Sequence, residues 1–524
     1  MFLFLKLNTS TMKRSALFFV LLISCTVSWA QKNNKAPNIL IILSDDHAYQ
    51  AISAYGSKLM QTPNIDRIAK EGVIFQNACV TNSLCGPSRA SWLTGKYSHV
   101  NGLKVNNLSN PFNINQELFS RILKQRDYQT GLIGKWHLQT LPGDAFDYWK
   151  IVPDQGQYYN PDFIEMNHDT VQIQGYITDI ITELSTQWLD HRDTSKPFCL
   201  FIGEKATHRA WLPDLQDLGA FDDRTFPLPP NFYDDYRDRI AAKNQDMSIA
   251  KTMLLDEDLK VHVNYLEKAF YSRLNAEQLA TFKTYYEKLS KDFDSHHYSG
   301  RELTEWKYQR FLKDYLSTAR SLDRNIGKIL DYLDKNGLSE NTVVIYASDQ
   351  GFYLGEHGWF DKRFMYEESM KTPVIMRYPG VIKAGTSLDE MILNIDFAPT
   401  LLEIAGLNVP VSMQGASFLP LLKTGKAENW RKAAYYHYYE YPEPHRVSPH
   451  FGVRTEQYKL IRFYGPNDAW ELYDLKKDPG EMKNLYEEKK DTELVASLKK
   501  QLSALISQYR DDEAMTILKN ESHP

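Results

Sequence analysis

Short runs of uninterrupted apolar residues, each ending in polar or charged ones, recur along this chain. Residues 38–43 end in Ser44-Asp45-Asp46, and 129–135 in Trp136-His137. Residues 197–203 end in Glu204-Lys205, and 342–348 in Asp349-Gln350. Such runs are short for helices and do not alternate, so they read as strands buried on both faces. Residues 72–80 and 373–378 join them. Helical periodicity lies between: 116–124 with Asn115 as a candidate N-cap, 175–191, and most of 275–336. Residues 62–68 read as a turn entering a short helix. Pro87 ahead of 88–94 predicts a helix start, with position 85 at its N-terminus. Alternating strands and helices predict an α/β fold, a large mostly parallel sheet sandwiched by helices. Sites in such sheets form at the C-terminal ends of strands. Asp45, Asp46, Lys135 and Asp349 fall there, far apart in sequence but able to converge.

The texture changes near residue 415. Aromatic and β-branched runs at 433–440, 452–463 and 470–475 precede the turn Asp478-Pro479-Gly480-Glu481 and a helical pattern at 494–509. We read 415–524 as a smaller subdomain, an antiparallel sheet packed with a helix, following a catalytic domain at 31–414. Residues 205–300 form a long polar insertion, read as a solvated helical excursion. At the start, Lys13 and Arg14 precede an apolar run at 16–23, and Ser28-Trp29-Ala30 offers a small-x-small cleavage site. Residues 1–30 therefore read as an export signal, too short for a membrane span. Leu22-Ile23-Ser24-Cys25 leaves the alternative of a lipid anchor on Cys25. Either reading implies an exported protein, periplasmic in the first case.

Composition adds mainly exclusions. With 524 residues, 43% hydrophobic and 24% charged, the chain can bury a large core. A net charge of −5 gives no reason to expect a nucleic-acid partner, and an anionic substrate would need a local cationic pocket. Four cysteines do not make a disulfide scaffold. Cys79 and Cys199, in apolar runs, fit two buried thiols or one disulfide.

Candidate chemistry centres on Cys85-Gly86-Pro87-Ser88-Arg89, followed by Leu93-Thr94-Gly95. The Asp45-Asp46 and Asp349-Gln350 pairs would bury converging carboxylates, which need a cation. Oxygen-only donors select a hard one, Ca²⁺ or Mg²⁺. Lys135 and His137, two apart on an extended chain, point the same way. His208 follows another strand end. Asp361-Lys362-Arg363 with Tyr366-Glu367 makes a dense charged run, where Lys362 and Arg363 suit a tetrahedral oxyanion.

Together, Asp45-Asp46, the segment 85–95, Lys135 to His137, His208 and the segment 349–367 resemble type I sulfatases of the alkaline phosphatase superfamily. The resemblance spans the mature chain. It implies that a formylglycine-generating maturase oxidises Cys85 to an aldehyde, and that Asp45, Asp46, Asp349, Gln350 and modified residue 85 bind Ca²⁺. It implies attack by the hydrated aldehyde on a sulfate ester, with Arg89 orienting the nucleophile and Lys135 and Lys362 stabilising charge. His208 would protonate the leaving alkoxide, and His137 would act as base for release. The family's usual Asp-Asn pair is Asp349-Gln350 here, so Gln350 departs from the pattern by one methylene. The Asp361-Lys362-Arg363-x-x-Tyr366-Glu367 run is similar to that of N-acetylglucosamine-6-sulfatases. It implies an exo-acting enzyme on terminal 6-sulfated N-acetylglucosamine of glycosaminoglycans such as heparan sulfate. Asp361, Arg363, His445 and His450 would contact the sugar. Gly355-Glu356-His357-Gly358 also resembles iduronate-2-sulfatases, and phosphonate or phosphate ester hydrolases share the fold and the Cys-x-Pro-Ser-Arg motif.

Overall fold

The structure, a computed structural model, describes residues 36–107, 111–265, 267 and 270–521. The segment read as an export signal, Cys25 included, lies outside the described residues. The strands in chain order are β1 (Asn38–Ser44), β2 (Val73–Phe75), β3 (Ala78–Cys79), β4 (Gln129–Lys135), β5 (Tyr148–Val152), β6 (Asp162–Glu165), β7 (Thr170–Gln172) and β8 (Phe198–Gly203). They continue with β9 (Thr342–Ser348), β10 (Val374–Arg377), β11 (Thr386–Leu388), β12 (Ile392–Leu393), β13 (Ala433–Tyr438), β14 (His450–Thr455), β15 (Tyr458–Phe463) and β16 (Ala469–Asp474).

Ten strands form one sheet in the order β11-β2-β10-β9-β1-β8-β4-β5-β6-β7. Its centre, β9-β1-β8-β4-β5, is parallel throughout. Registers keep the strand ends level: Ser44 lies opposite Ser348, and Leu43 opposite Gly203. Four chain segments therefore leave the sheet at one edge, the condition for residues remote in sequence to meet. Every residue of β1, β8 and β9 is buried, because both faces are covered. On one face Leu40, Ile42, Leu200, Ile202 and Val344 pack with Ile65 and Ile68, Ile177 and Ile181, and Leu322, Ile326 and Ile329. These come from the helices Pro63–Lys70, Ile177–His191 and Gly300–Lys335. The large, mostly parallel sheet flanked by helices is the expected one.

A second sheet, β13-β14-β15-β16, is an antiparallel meander. Val495, Leu498, Leu502 and Ile506 of the helix Glu493–Tyr509 cover it at spacings of three and four. From Pro37 the chain forms one compact unit.

Several elements differ from the pattern. The run 452–463 is two strands, because Glu456-Gln457 turns the chain between β14 and β15. Residues 72–80 likewise divide, β2 joining the large sheet and β3 pairing with β12. Asn115 caps nothing: the helix there is Phe119–Leu123, with Leu118 at its N-cap. The insertion is mostly turns until the helix Ala276–His296, which Asn275 and Gln278 cap reciprocally. Strands β5 to β7 went unread because their apolar runs are short and interrupted. Cys79 and Cys199 are free, buried thiols. Among the described residues no helix is long and apolar enough to cross a membrane.

Candidate active site

Backbone hydrogen bonds stitch the strand ends together. The Asp349 N–H donates to Ser44 O at 3.1 Å, the Glu204 N–H to Leu43 O at 2.9 Å, and the Asp45 N–H to Ala206 O at 3.1 Å. Asp46 then turns away in the left-handed region, φ 63°. Beside this edge, β4 and β8 approach too closely for side chains. A Cβ on Gly203 would lie 2.1 Å from Lys135 O, and one on Gly134 2.1 Å from Gly203 O. The two glycines thus set where Lys135 enters the site.

The helix Cys85–Thr94 caps the edge, and all ten of its residues are buried. Cys85 is its first residue, and Pro87 sits in the first turn, where its missing N–H costs nothing. The Cys85 thiol donates to Asp45 Oδ1 at 3.2 Å, and Gln350 Nε2 lies 3.9 Å from the sulfur. One turn on, Arg89 donates from Nε to Asp349 Oδ2 at 2.9 Å and from Nη1 to Lys135 O at 3.0 Å. Arg89 therefore fixes the helix to a carboxylate and to β4 at once.

Two lysines face the Asp pair. Lys135, fully buried, donates to Asp45 Oδ2 and, at 2.5 Å, to Gln155 Oε1. Lys362 donates to Asp46 Oδ2 at 2.8 Å. His208 Nε2 stands 3.9 Å from that same oxygen. Its Nδ1 is 2.8 Å from Arg209 O, an acceptor only, so Nδ1 carries the proton and Nε2 faces the site.

Burial pushes Asp45 up, but Lys135, His208, Arg89 and Lys362 outweigh it and hold it well below the usual carboxylate range. Burial prevails at Asp46 and Asp349, where neighbouring Asp charges add to it, and both are raised. Burial and the Asp45 charge likewise hold the Cys85 thiol well above its ordinary value. Burial pulls His208 down. The protein's own cations thus leave two of three carboxylates short of positive charge.

That shortfall frames the metal question. Oxygens of Asp45, Asp46 and Asp349 lie within 4.8 Å of one another, as do ligand atoms of Asp45, Cys85 and His208. Gln350 Nε2 donates to Asp46 Oδ1, while its Oε1 is buried without a partner. Three buried carboxylates beside an orphaned amide oxygen fit a divalent cation, and the carboxylate-rich donor set suits a hard one.

Above this floor opens a cavity of about 700 Å³. Asp46, Cys85, His208 and Lys362 line its base, Trp211, Phe352 and Phe360 one wall, and Asn106, Arg209, Asp361, Arg363, Glu440 and His445 its upper part. Asp361 and Arg363 adopt positive φ, 78° and 94°, and are 3.3 Å apart. His445 Nε2 is 3.1 Å from Asp361 Oδ2, and its Nδ1 3.1 Å from Asp246 Oδ1. The polar insertion thus supplies Arg209, Trp211 and Asp246 to the cavity and its support.

Two expected residues lie elsewhere. His450 does not reach the cavity: it is buried in β14 between aromatic rings, its Nε2 accepting the Met365 N–H at 3.0 Å and its Nδ1 donating to Ser448 O at 2.8 Å. His137 lines a smaller neighbouring cavity, its Nε2 2.9 Å from Gln155 Nε2 and 3.3 Å from Asp154 Oδ1. Gln155 itself was missed. It follows the end of β5, the position a parallel sheet reserves for function, but β5 was not recognised as a strand. Asn106 and Glu440 carry no local signal at all.

The chain matches the sulfatase family over residues 37–407 and, over 355–508, a family described as N-sulphoglucosamine sulphohydrolase, C-terminal. The chain belongs to the sulfatase family. It is a sulfuric ester hydrolase. An N-acetylglucosamine-6-O-sulfatase of Bacteroides thetaiotaomicron is 46% identical over 93% of this sulfatase and 90% of that protein. An N-acetylglucosamine-6-sulfatase of Capra hircus is 29% identical over 77% and 67%. A solved structure of a protein in complex with its substrate D-glucosamine-2-N,6-O-disulfate aligns with a TM-score of 0.88. It is 46% identical and covers 91% of this chain and 99% of that one.

Proposed function

We propose that this sulfatase removes 6-O-sulfate from terminal N-acetylglucosamine of glycosaminoglycans such as heparan sulfate, acting from the chain end. The observation that carries the reading is the position of Cys85. Its sulfur lies at the base of the cavity, 3.2 Å from Asp45, with Lys362 and His208 on the same floor. The names of the similar proteins and the disulfated glucosamine bound by one of them support the sugar. A cavity of about 700 Å³ suits one or two sugar rings.

In this reading a maturase converts Cys85 to formylglycine, whose hydrated aldehyde supplies the nucleophile. Asp45, Asp46, Asp349 and Gln350 would hold Ca²⁺, a Lewis acid that would acidify the nucleophile and draw charge from the sulfate ester. The chain's own residues do the rest. Lys362, anchored on Asp46, lines the cavity base and would meet the sulfate oxygens where negative charge spreads, and Lys135, buried on Asp45, would add positive charge from behind the floor. His208 turns Nε2 toward the floor, with its Nδ1–H held by Arg209 O. As the imidazolium, protonated at Nε2 when the anionic ester binds, it would pass that proton to the leaving sugar oxygen and return to the neutral ring, a contribution of about 10²–10⁴ in rate. Arg89 positions Asp349 and the helix carrying residue 85. His137 meets Gln155 and Asp154 rather than the cavity, so it supports the Lys135 contact with Gln155. Export through residues 1–30, to the periplasm or to a lipid anchor on Cys25, would bring the enzyme to such glycans.

Peptide mass spectrometry across residue 85 of protein from its native host tests the nucleophile. A loss of about 18 Da against Cys is expected. An unmodified thiol in active protein would overturn it. A panel of 6-O-, 2-O- and N-sulfated monosaccharides with an aryl phosphonate tests the substrate, with 6-sulfated N-acetylglucosamine expected to turn over fastest.

A further inference from the structure

The cavity's upper part contains a buried ion pair that the reaction does not explain. Glu440 follows β13, and its side chain is only 11% exposed although it lines the cavity. Both of its oxygens are engaged. Oε2 accepts from Arg363 Nη1, and Oε1 accepts the backbone N–H of Asn106 at 3.0 Å. Asn106 in turn accepts the Gly86 N–H on its Oδ1 at 3.1 Å, next to residue 85. Space there is tight: a Cβ on Gly86 would lie 2.7 Å from Asn106 Oδ1. Arg363 is held on other sides too. Its Nε lies 3.3 Å from Asp361 Oδ1, Tyr438 OH accepts from Nη1 at 3.2 Å, and its carbonyl accepts from Tyr436 OH at 2.6 Å.

We propose that Glu440 is a positioning residue that sets Arg363 in register with residue 85, linking the sugar-facing arginine to the nucleophile helix through Asn106. The proposal rests on the reading of Arg363 as a substrate-binding residue. Each Glu440 oxygen already accepts a hydrogen bond, one from Arg363 and one from the Asn106 backbone, so the carboxylate is held in place by the two groups it joins and acts through them. Arg363 holds a positive φ of 94°, a conformation rare for a side-chain-bearing residue. An arginine on such backbone needs external partners to hold one direction, and Glu440 is the partner that also reaches the helix carrying residue 85, through Asn106. The link also explains why a residue of the C-terminal sheet lies beside the N-terminal helix of the site.

A double-mutant cycle on the full-length matured enzyme tests this, using whichever sulfated monosaccharide the wild type hydrolyses best. That choice separates the two ideas: wild-type preference judges the 6-sulfate reading, and the cycle judges Glu440. Glu440→Gln should raise KM on the order of tenfold, as loss of a charged hydrogen bond does, while kcat changes less than about threefold. Glu440→Asp should fall between, because charge remains but reach does not. In an Arg363→Ala background the same Glu440 changes should shift KM by less than about twofold. Full additivity in that background, or an unchanged KM in folded Glu440→Gln protein, would overturn the proposal. If Glu440→Gln does not fold, Glu440→Asp carries the same cycle.

Discussion

The base of the cavity and its upper part are built differently. The base stands on the ends of parallel strands: Asp45 after β1, Lys135 at the end of β4, Asp349 after β9, with backbone bonds holding those ends level. Its aspartates and Lys135 are buried, mutually paired and fixed at the end of one sheet, and Cys85, His208 and Lys362 meet them there. The upper part is assembled from loops that the sheet does not order. Asn106, the pair Asp361 and Arg363, and the pair Glu440 and His445 come from three separate loops, and Asp361 and Arg363 have positive φ. Sheet edges hold charges in fixed register at little conformational cost, so the reaction itself belongs there. Loops can be exchanged without disturbing that register, so substrate choice belongs above. Losses at the base should therefore abolish turnover with the fold intact, and losses above should alter which sugar is accepted.

The largest effect is expected at residue 85. Cys85→Ser, made in a host without a Ser-type maturase, should lower kcat at least about a thousandfold. The substitution is nearly isosteric, so the unfolding midpoint should barely move and binding to the sulfated sugar should persist in calorimetry. Turnover near the wild-type rate would show that the base of the cavity is not where the reaction occurs.

Removing the cation should come next. Chelation should cost at least about a hundredfold in activity. Ca²⁺ or Mg²⁺ should restore it better than Zn²⁺ or Cu²⁺, because the donors are chiefly carboxylate and amide oxygens. The melting temperature should fall too, since Asp45, Asp46 and Asp349 then face one another uncompensated. Full activity after exhaustive chelation would leave the orphaned Gln350 Oε1 without the partner assigned to it.

The base was also the part most legible in the sequence. Apolar runs ending in Asp45-Asp46 and Asp349-Gln350 announce both the strand and its functional end, because a strand buried on both faces admits polar residues only past its last turn of the pleat. The 85–95 pattern is local for the same reason: one helix carries it. Gln155 was lost because β5 alternates and stops after five residues. Asn106 and Glu440 were invisible because their roles arise from a meeting of loops, which no local pattern encodes. His450 failed in the opposite way. Lying just ahead of Gly452-Val453-Arg454 it was expected to reach the sugar, yet cross-strand packing turned it inward among Phe364, Tyr436 and Tyr438.

Above the base, Arg363→Ala should raise KM for the sulfated sugar roughly ten- to a hundredfold, with a smaller change in kcat. A small aryl sulfate, which lacks the sugar hydroxyls, should lose much less. Equal losses on both substrates would erase the division of labour, placing Arg363 with Lys362 on the sulfate itself.

The smallest effect concerns the support beneath the cavity's edge. Asp511, between the helices Glu493–Tyr509 and Asp512–Glu521, accepts from His437 Nδ1 at 2.7 Å, Tyr435 OH at 2.9 Å and Tyr439 OH at 3.3 Å. Tyr439 lines the cavity. Burial would raise the Asp511 carboxyl, but the His437 bond and the charges of His437 and His99 outweigh it and hold it well below the usual range. A depressed carboxylate contributes stability that is complete above its unfolded value, about 3.9, and is lost as pH falls through the folded value. Asp511→Asn should therefore cost about 1–3 kcal/mol at pH 7 by urea unfolding, and measurably less at pH 3. KM should shift less than about threefold, because Tyr439 keeps its place in the chain while losing one partner. A deficit of the same size at both pH values would mean that shape rather than charge holds this edge. A KM change as large as that of Arg363→Ala would mean that the support and the sugar-facing residues form one unit, and the contrast between a fixed base and an exchangeable upper part would need a third, equally rigid region.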